Sequence, residues 1–308
     1  MNSRYLEIVR LLIDAAPFIF SQGGFALKGG TAINLFVQGM PRLSVDIDLV
    51  YTNLNHPDRD SALEAIEKSL QAAAELLESR LKVSVRATTS GSEHESKLFI
   101  SRGNVLLKVE VNHDFRGTVY PLVIGTLTKE AQEQFSRALS VPMLDPDELY
   151  ASKLVAALDR QHPRDLFDVM LLFKNGGITP RVRRAFVVYL AGHNRPMHEL
   201  LPPHSQDIRI LFKSEFAGIT SFEVTIEELE AVRKKLFQEL PASLDTTERE
   251  FLLSMKRRKP DWSLLELSGI EKLPAIRWKL MNLDKLAKSN PGKYQKMVKA
   301  LELRIGKQ

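Results

Sequence analysis

The run Val45-Asp-Ile-Asp-Leu-Val-Tyr51 constrains this chain more than any other segment. Side chains alternate in direction along a strand. Asp46 and Asp48 therefore share one face, while Val45, Ile47 and Leu49 point the other way, into a core. Two carboxylates this close repel strongly in a low-dielectric setting. The arrangement makes sense with a divalent cation between them. Mg²⁺ takes hard oxygen ligands, usually one or two carboxylates together with substrate phosphates.

A second strand, Val105 to Asn112, complements the first. It puts Lys108, Glu110 and Asn112 on one face and Leu107, Val109 and Val111 on the other. A glutamate in a mostly apolar strand is expected to face a site. A third carboxylate beside a two-acid pair matches the needs of two-metal phosphoryl chemistry. Asp46, Asp48 and Glu110 are thus the expected metal ligands and catalytic acids, with Mg²⁺ as the ion and Mn²⁺ as an alternative. Upstream, Gly29-Gly30-Thr31 is expected between a short strand, Phe25 to Leu27, and a helix, Ala32 to Gln38. Glycines there let backbone N–H groups approach phosphate oxygens, and a helix N-terminus adds a favourable dipole. Thr31 adds a hydroxyl. Ser44 has the same facing as the two aspartates and joins the expected nucleotide-binding set.

The wider pattern is α+β. Helices are expected at 4–20 and 60–81, and strands at 82–88, 96–102 and 104–112. Pro142 and Pro146 mark a boundary. Beyond it the pattern is helical: 147–159, 164–173, 180–192, 226–240, 243–256, 274–288 and 292–304. A domain at 1–143 would carry the mixed sheet, and one at 144–308 would be mostly helical. With 308 residues the chain has ample length for a core. The absence of cysteine excludes disulfide frameworks, cysteine zinc sites and thiol nucleophiles. The histidines, His94 and His113 among them, lack the spacing of a ligand set, and no Walker sequence or serine elbow occurs. No apolar run approaches a membrane span, and the N-terminus reads as an amphipathic helix, so the cytoplasm is the expected compartment.

The residues now assembled resemble a family: the AbiEii/AbiGii-type toxins, with their MenT-like members, of the polymerase-beta-like nucleotidyltransferases. The matching stretches are LKGGTAINL (27–35), RLSVDIDLVY (42–51), KVEVN (108–112), ELYASKLVAALDRQHPRDLFDV (148–169) and LPAIRWKLMNLDKL (273–286). The resemblance implies a polymerase-beta-like catalytic domain followed by a helical one. It also implies transfer of a nucleotide from an NTP to an acceptor, most often the tRNA 3′ end, which blocks translation, and an antitoxin protein as partner. Residue by residue it adds Lys153, a charge for the triphosphate, and Asp168 of the RDLFD segment. Arg164 joins the nucleotide-binding set, although an i,i+4 pair between Arg164 and Asp168 is the simpler reading of those two. Fifteen residues separate Gly30 from Asp46, a longer gap than is usual in the wider superfamily.

The net charge of +5 is unevenly spread. Residues 251–308 hold 14 Lys and Arg against 5 Asp and Glu, which leaves the rest of the chain at −4. A basic lobe on an acidic body fits a polyanion such as RNA. Arg277, Lys279, Lys285, Lys288, Lys293, Lys296 and Lys299 are the expected contacts, with Trp278 and Tyr294 interleaved. Trp278 is read as a core residue of the helical bundle, since tryptophans are usually largely buried. Rival readings are a nucleotidyltransferase acting on a protein or small-molecule hydroxyl, a catalytically silent RNA-binding module, and a DxD glycosyltransferase. The basic lobe, the three carboxylates and the upstream glycine motif disfavour them in turn.

Overall fold

The structure is a computed structural model that describes residues 3–56, 58–89 and 95–306. The chain divides into two compact units. The first comprises Met1–Leu149 with Gly218–Glu223, and the second Tyr150–Ala217 with Val224–Gln308.

The first unit is built on a seven-stranded mixed sheet in the order β3-β4-β5-β2-β1-β7-β6. Its strands are β1 (Phe25–Lys28), β2 (Asp46–Tyr51), β3 (Ser84–Thr89), β4 (Glu95–Arg102), β5 (Val105–Asn112), β6 (Val123–Thr126) and β7 (Ser140–Met143). Central β2 runs antiparallel to β1 and parallel to β5. The alternation seen in the sequence becomes a two-faced sheet. Ile47, Leu49, Leu98, Ile100, Leu107, Val109 and Val111 are wholly buried on one face. Helices α1 (Ser3–Phe20) and α3 (Arg59–Leu81) pack against strands of this sheet. Gly23 and Gly24, both at positive φ, end α1 and turn the chain into β1. A capping box from Asp58 and Ser61 starts α3. Gly103, also at positive φ, makes the expected tight turn between β4 and β5.

Two strands and a helix go beyond what the periodicity predicts. β6, α4 (Lys129–Phe135) and β7 lie in a stretch whose alternation is short, and β7 contains Pro142. Proline lacks the N–H that a ladder uses, so it signals a break more strongly than a strand. The structure tolerates it opposite Ile124 in the antiparallel pair with β6.

Helix α5 (Pro146–Asp159) contains the division between the units. Glu148 in its first turn is fully buried and accepts hydrogen bonds from the N–H groups of Val119 (2.9 Å) and Tyr120 (3.0 Å). This carboxylate holds the loop that follows β5. Glu148→Ala would leave two buried donors without it, at about 1–3 kcal/mol each. The expected result is a thermal midpoint lower by several degrees, measured by calorimetry.

The second unit is helical. It contains α6 (Pro163–Lys174), α7 (Pro180–Gly192), α8 (Arg209–Leu211), α9 (Ile226–Ser243), α10 (Thr246–Lys256), α11 (Pro274–Ser289) and α12 (Pro291–Ile305). Prolines at the first helical turn open α6, α7, α11 and α12, where a missing N–H costs nothing. The segment 209–216, a short helix continued by a π turn, is a further element that the pattern did not predict. Among the described residues no helix is long and apolar enough to cross a membrane.

Candidate active site

The carboxylates meet where β2 and β5 run side by side. In the parallel register Asp46 lies opposite Lys108, and Asp48 lies opposite Glu110. All four alternate away from the buried valines and leucines, onto the polar face of the sheet. Lys108 Nζ stands 3.1 Å from Glu110 Oε2 and 3.9 Å from Asp46 Oδ2. Lys97, from β4, reaches Glu110 Oε1 at 3.2 Å. These side chains are between one sixth and one third exposed, so the cluster is open to solvent and to a ligand.

The glycine motif abuts this cluster directly. Gly29 and Gly30 are the first residues of helix α2 (Gly29–Ala32), which continues as a π turn over Ile33–Val37. The helix therefore begins three residues earlier than the pattern predicts, and the glycines belong to its first turn. Gly29 has φ +76°, and a β-carbon there would fall on the Asp48 carboxylate. A β-carbon on Gly30 would meet the Arg42 guanidinium at 2.6 Å and the Ser44 hydroxyl at 3.0 Å. Both positions need glycine because the backbone passes so close to site residues. Gly29→Ala should lower activity at least about tenfold, and stability by about 1 kcal/mol or more through the positive φ alone. Initial rates and thermal melts of the variant check both.

Thr31 lies differently from the expectation of a phosphate donor. It is fully buried, and its hydroxyl lies 3.0 Å from Ser44 Oγ and donates to the Asp46 carbonyl at 2.5 Å. It pins the entry to β2 from beneath. Ser44 itself precedes β2, which begins at Asp46. Arg42 is buried and donates to the Leu43 carbonyl at 3.1 Å. The backbone around it is clamped by the returning segment, through Leu43 N–H to Ile219 O (2.9 Å) and Ser221 N–H to Pro41 O (2.8 Å). This supporting segment carries no sequence signal that would have placed it beside β2.

The residues expected from the second unit form a cluster of their own. Lys153 Nζ lies 2.8 Å from Asp165 Oδ1 and 3.1 Å from Asp168 Oδ2, and both carboxylates are essentially buried. Arg160 adds a two-point contact to Asp165 at 2.5 and 3.0 Å. Burial pushes the Asp165 carboxyl up, but the charge and hydrogen bonds of Lys153 and Arg160 more than offset it. The net result holds Asp165 well below the usual carboxylate range. The simple i,i+4 pair is not what forms. Arg164 turns instead to Glu215 (3.1 Å), which His162 Nε2 also meets at 3.1 Å. His162 doubles as the cap of α6, its Nδ1 accepting the Arg164 N–H. Asp165, readable from sequence as an ordinary helix-start acid, is a central member of the cluster.

His113 does not join the site. His113 is buried and bonded through Nε2 to Ser96 Oγ at 2.8 Å. Ser96 pairs with Val111, so His113 belongs to the apolar side, away from Glu110. His94 lies outside the described residues.

The oxygen donors suit a hard cation. Among the described residues no three acidic or histidine side chains already converge as a metal cage. The Lys108 ammonium, however, stands between Asp46 and Glu110 as a cation of the protein's own. The polar face of β2 and β5 thus attracts positive charge.

A family model described as the nucleotidyl transferase AbiEii toxin of a type IV toxin–antitoxin system matches residues 10–282. No curated protein matches the chain significantly. Among solved structures, MenT4, a nucleotidyltransferase toxin of Mycobacterium tuberculosis H37Rv, superposes with a TM-score of 0.60. That match has 19% identity and covers 91% of this chain and 94% of the other. It agrees with the expected fold, a mixed sheet with flanking helices followed by a helical part. A family match over most of the chain settles its membership: the chain belongs to the AbiEii family of nucleotidyltransferase toxins of toxin–antitoxin systems.

Proposed function

We propose that this nucleotidyltransferase transfers a nucleotide from an NTP to the 3′ hydroxyl of a tRNA, with Mg²⁺ held by Asp46, Asp48 and Glu110. The observation that carries the reading is the register of β2 and β5, which sets Asp48 opposite Glu110 with Asp46 one side-chain repeat away. When bound there, Mg²⁺ supplies charge stabilisation at the phosphates and lowers the pKa of the attacking hydroxyl. The acceptor oxygen attacks the α-phosphorus, the α–β phosphoanhydride bond breaks, and pyrophosphate leaves. A carboxylate of the site takes the hydroxyl proton, and Glu110 is the general base we assign to this step.

The backbone at Gly29 passes against the Asp48 carboxylate, and the N–H groups at the start of α2 are the ones we assign to phosphate oxygens. Thr31 and Ser44 keep this turn and the start of β2 in place. In the second unit an ammonium has three donors. Asp165 and Asp168 take two of those of Lys153. Arg164 is paired with Glu215. A toxin of this family has an antitoxin as its partner, and a nucleotide as its substrate.

The test is incubation of purified protein with Mg²⁺, each α-labelled NTP, and total RNA or total protein. Label in tRNA is the expected result. Label in protein alone would transfer the reading to a protein-modifying nucleotidyltransferase. No label with any nucleotide would overturn both.

A further inference from the structure

Trp278 is 54% exposed, against the expectation that it would be a core residue. The inward place beside it belongs to Lys279, whose ammonium donates to the backbone carbonyls of His193 (2.6 Å), Asn194 (3.4 Å) and Arg195 (2.9 Å). Those carbonyls follow the end of α7, so a lysine caps that helix, as cations do at C-termini. Tyr294 is also spent on structure: it is buried, and its hydroxyl donates to the Lys256 carbonyl at 3.0 Å. Lys279 therefore leaves the set of expected RNA contacts, and the interleaved Tyr294 does not join it. Trp278 enters it.

The exposed side of α11 has a regular composition. Trp278, Met281, Lys285 and Lys288 recur at spacings of three, four and three, which puts them on one stripe of a helix. Arg277 lies on the same side. Arg277, Lys285 and Lys288 are exposed and pair with no carboxylate among the described residues. The one acid on this side, Asp284, is neutralised by Arg258 at 2.9 Å. Met281 is 62% exposed. An uncompensated row of cations with a large aromatic ring at its head suits a polyanion that also offers flat, stackable groups. Single-stranded RNA meets both requirements, with phosphates for the cations and bases for the indole.

We infer that the Trp278–Lys288 face of α11 is a docking stripe for an unpaired RNA segment. Trp278 stacks on a base, while Arg277, Lys285 and Lys288 track the backbone. The stripe is about 15 Å long at the rise of a helix. The inference rests on the preceding reading of RNA as the acceptor, and it adds the surface that holds it.

The experiment measures the affinity of the full-length protein for a labelled 12-nucleotide single-stranded RNA, and for a blunt RNA duplex of equal length, across a salt series. Trp278→Ala should weaken the single strand about tenfold, in line with about 1–3 kcal/mol per stacked base, and leave the duplex nearly unchanged. Lys285→Ala combined with Lys288→Ala should weaken both and flatten the single-strand salt slope by about 1.4. Each variant must melt within a degree or two of the wild type, which exposed positions allow. Unchanged single-strand affinity in the tryptophan variant would overturn the inference, as would an unchanged salt slope in the double-lysine variant. Loss of antitoxin binding with RNA binding intact would equally reassign the stripe to a protein partner. The two readings fail separately: nucleotide label entering tRNA at an equal rate in all stripe variants defeats this inference alone. RNA binding through the stripe without label from any NTP defeats the acceptor reading alone.

Discussion

Asp48→Asn is expected to reduce nucleotide incorporation at least about 10³-fold while the protein remains folded. The substitution keeps the shape of the side chain and removes its charge. Metal-assisted charge stabilisation is worth several kcal/mol in the transition state, and about 4 kcal/mol corresponds to 10³ in rate. Asp48 is the carboxylate against which Gly29 packs and the register partner of Glu110. It therefore touches the glycine turn and faces the second strand at Glu110. Stability should hold or improve, because removing one of three neighbouring carboxylates relieves repulsion that Lys97 and Lys108 only partly compensate. Initial rates with α-labelled NTP and a thermal melt of the same sample make the check. Incorporation within tenfold of wild type would remove Asp48 from the chemistry.

The second large effect is on stability. Lys153→Met should destabilise the protein by about 3–5 kcal/mol, since it strips the shared cation from two buried carboxylates. For a unit of this size that is on the order of a 10 °C drop in melting temperature. The pH dependence separates this cause from simple loss of packing. In the wild type the Asp165 carboxyl titrates below its unfolded value of 3.8. Its contribution is thus present above about pH 4 and lost as pH falls through the folded value. In Lys153→Met the largest influence that lowers the Asp165 pKa is gone and Arg160 alone opposes the effect of burial, so that pKa rises and acidification should recover part of the lost stability. A melting temperature within two degrees of wild type, or a deficit that does not shrink on acidification, would contradict the account.

The parts of the fold legible from sequence were those in which one face decides everything. The period-two alternation of β2 and β5 is unambiguous because their core faces are uniformly apolar, and it assigns Asp46, Asp48 and Glu110 to the polar faces of their own strands. What alternation cannot supply is which strand lies next to which. The adjacency of β2 and β5, and the return of residues 218–223 to the first unit, are long-range facts. α11 shows a second limit. Ile276, Lys279 and Leu283 form its buried side. A lysine in that row disguises the phase, and Trp278, one residue earlier, then looks like the natural core member. The disguise lifts only when the carbonyls at the end of α7 are seen to receive the ammonium. Thr31 and Asp165 are a third case. Their residue types fit common local roles, hydroxyl donor and helix-start acid, and burial alone reveals their tertiary ones.

The central claim is that a nucleotide passes from NTP to the 3′ hydroxyl of tRNA at the Asp46–Asp48–Glu110 site. It is tested most directly with two acceptors and two labels in one assay. Intact tRNA and tRNA with its 3′-terminal diol oxidised are each incubated with protein, Mg²⁺ and an NTP labelled at either the α- or the γ-phosphate. The account predicts α-label in intact tRNA, none in oxidised tRNA, and no γ-label in either. Label from the γ-phosphate, or equal α-label in tRNA whose 3′ end is blocked, would contradict it.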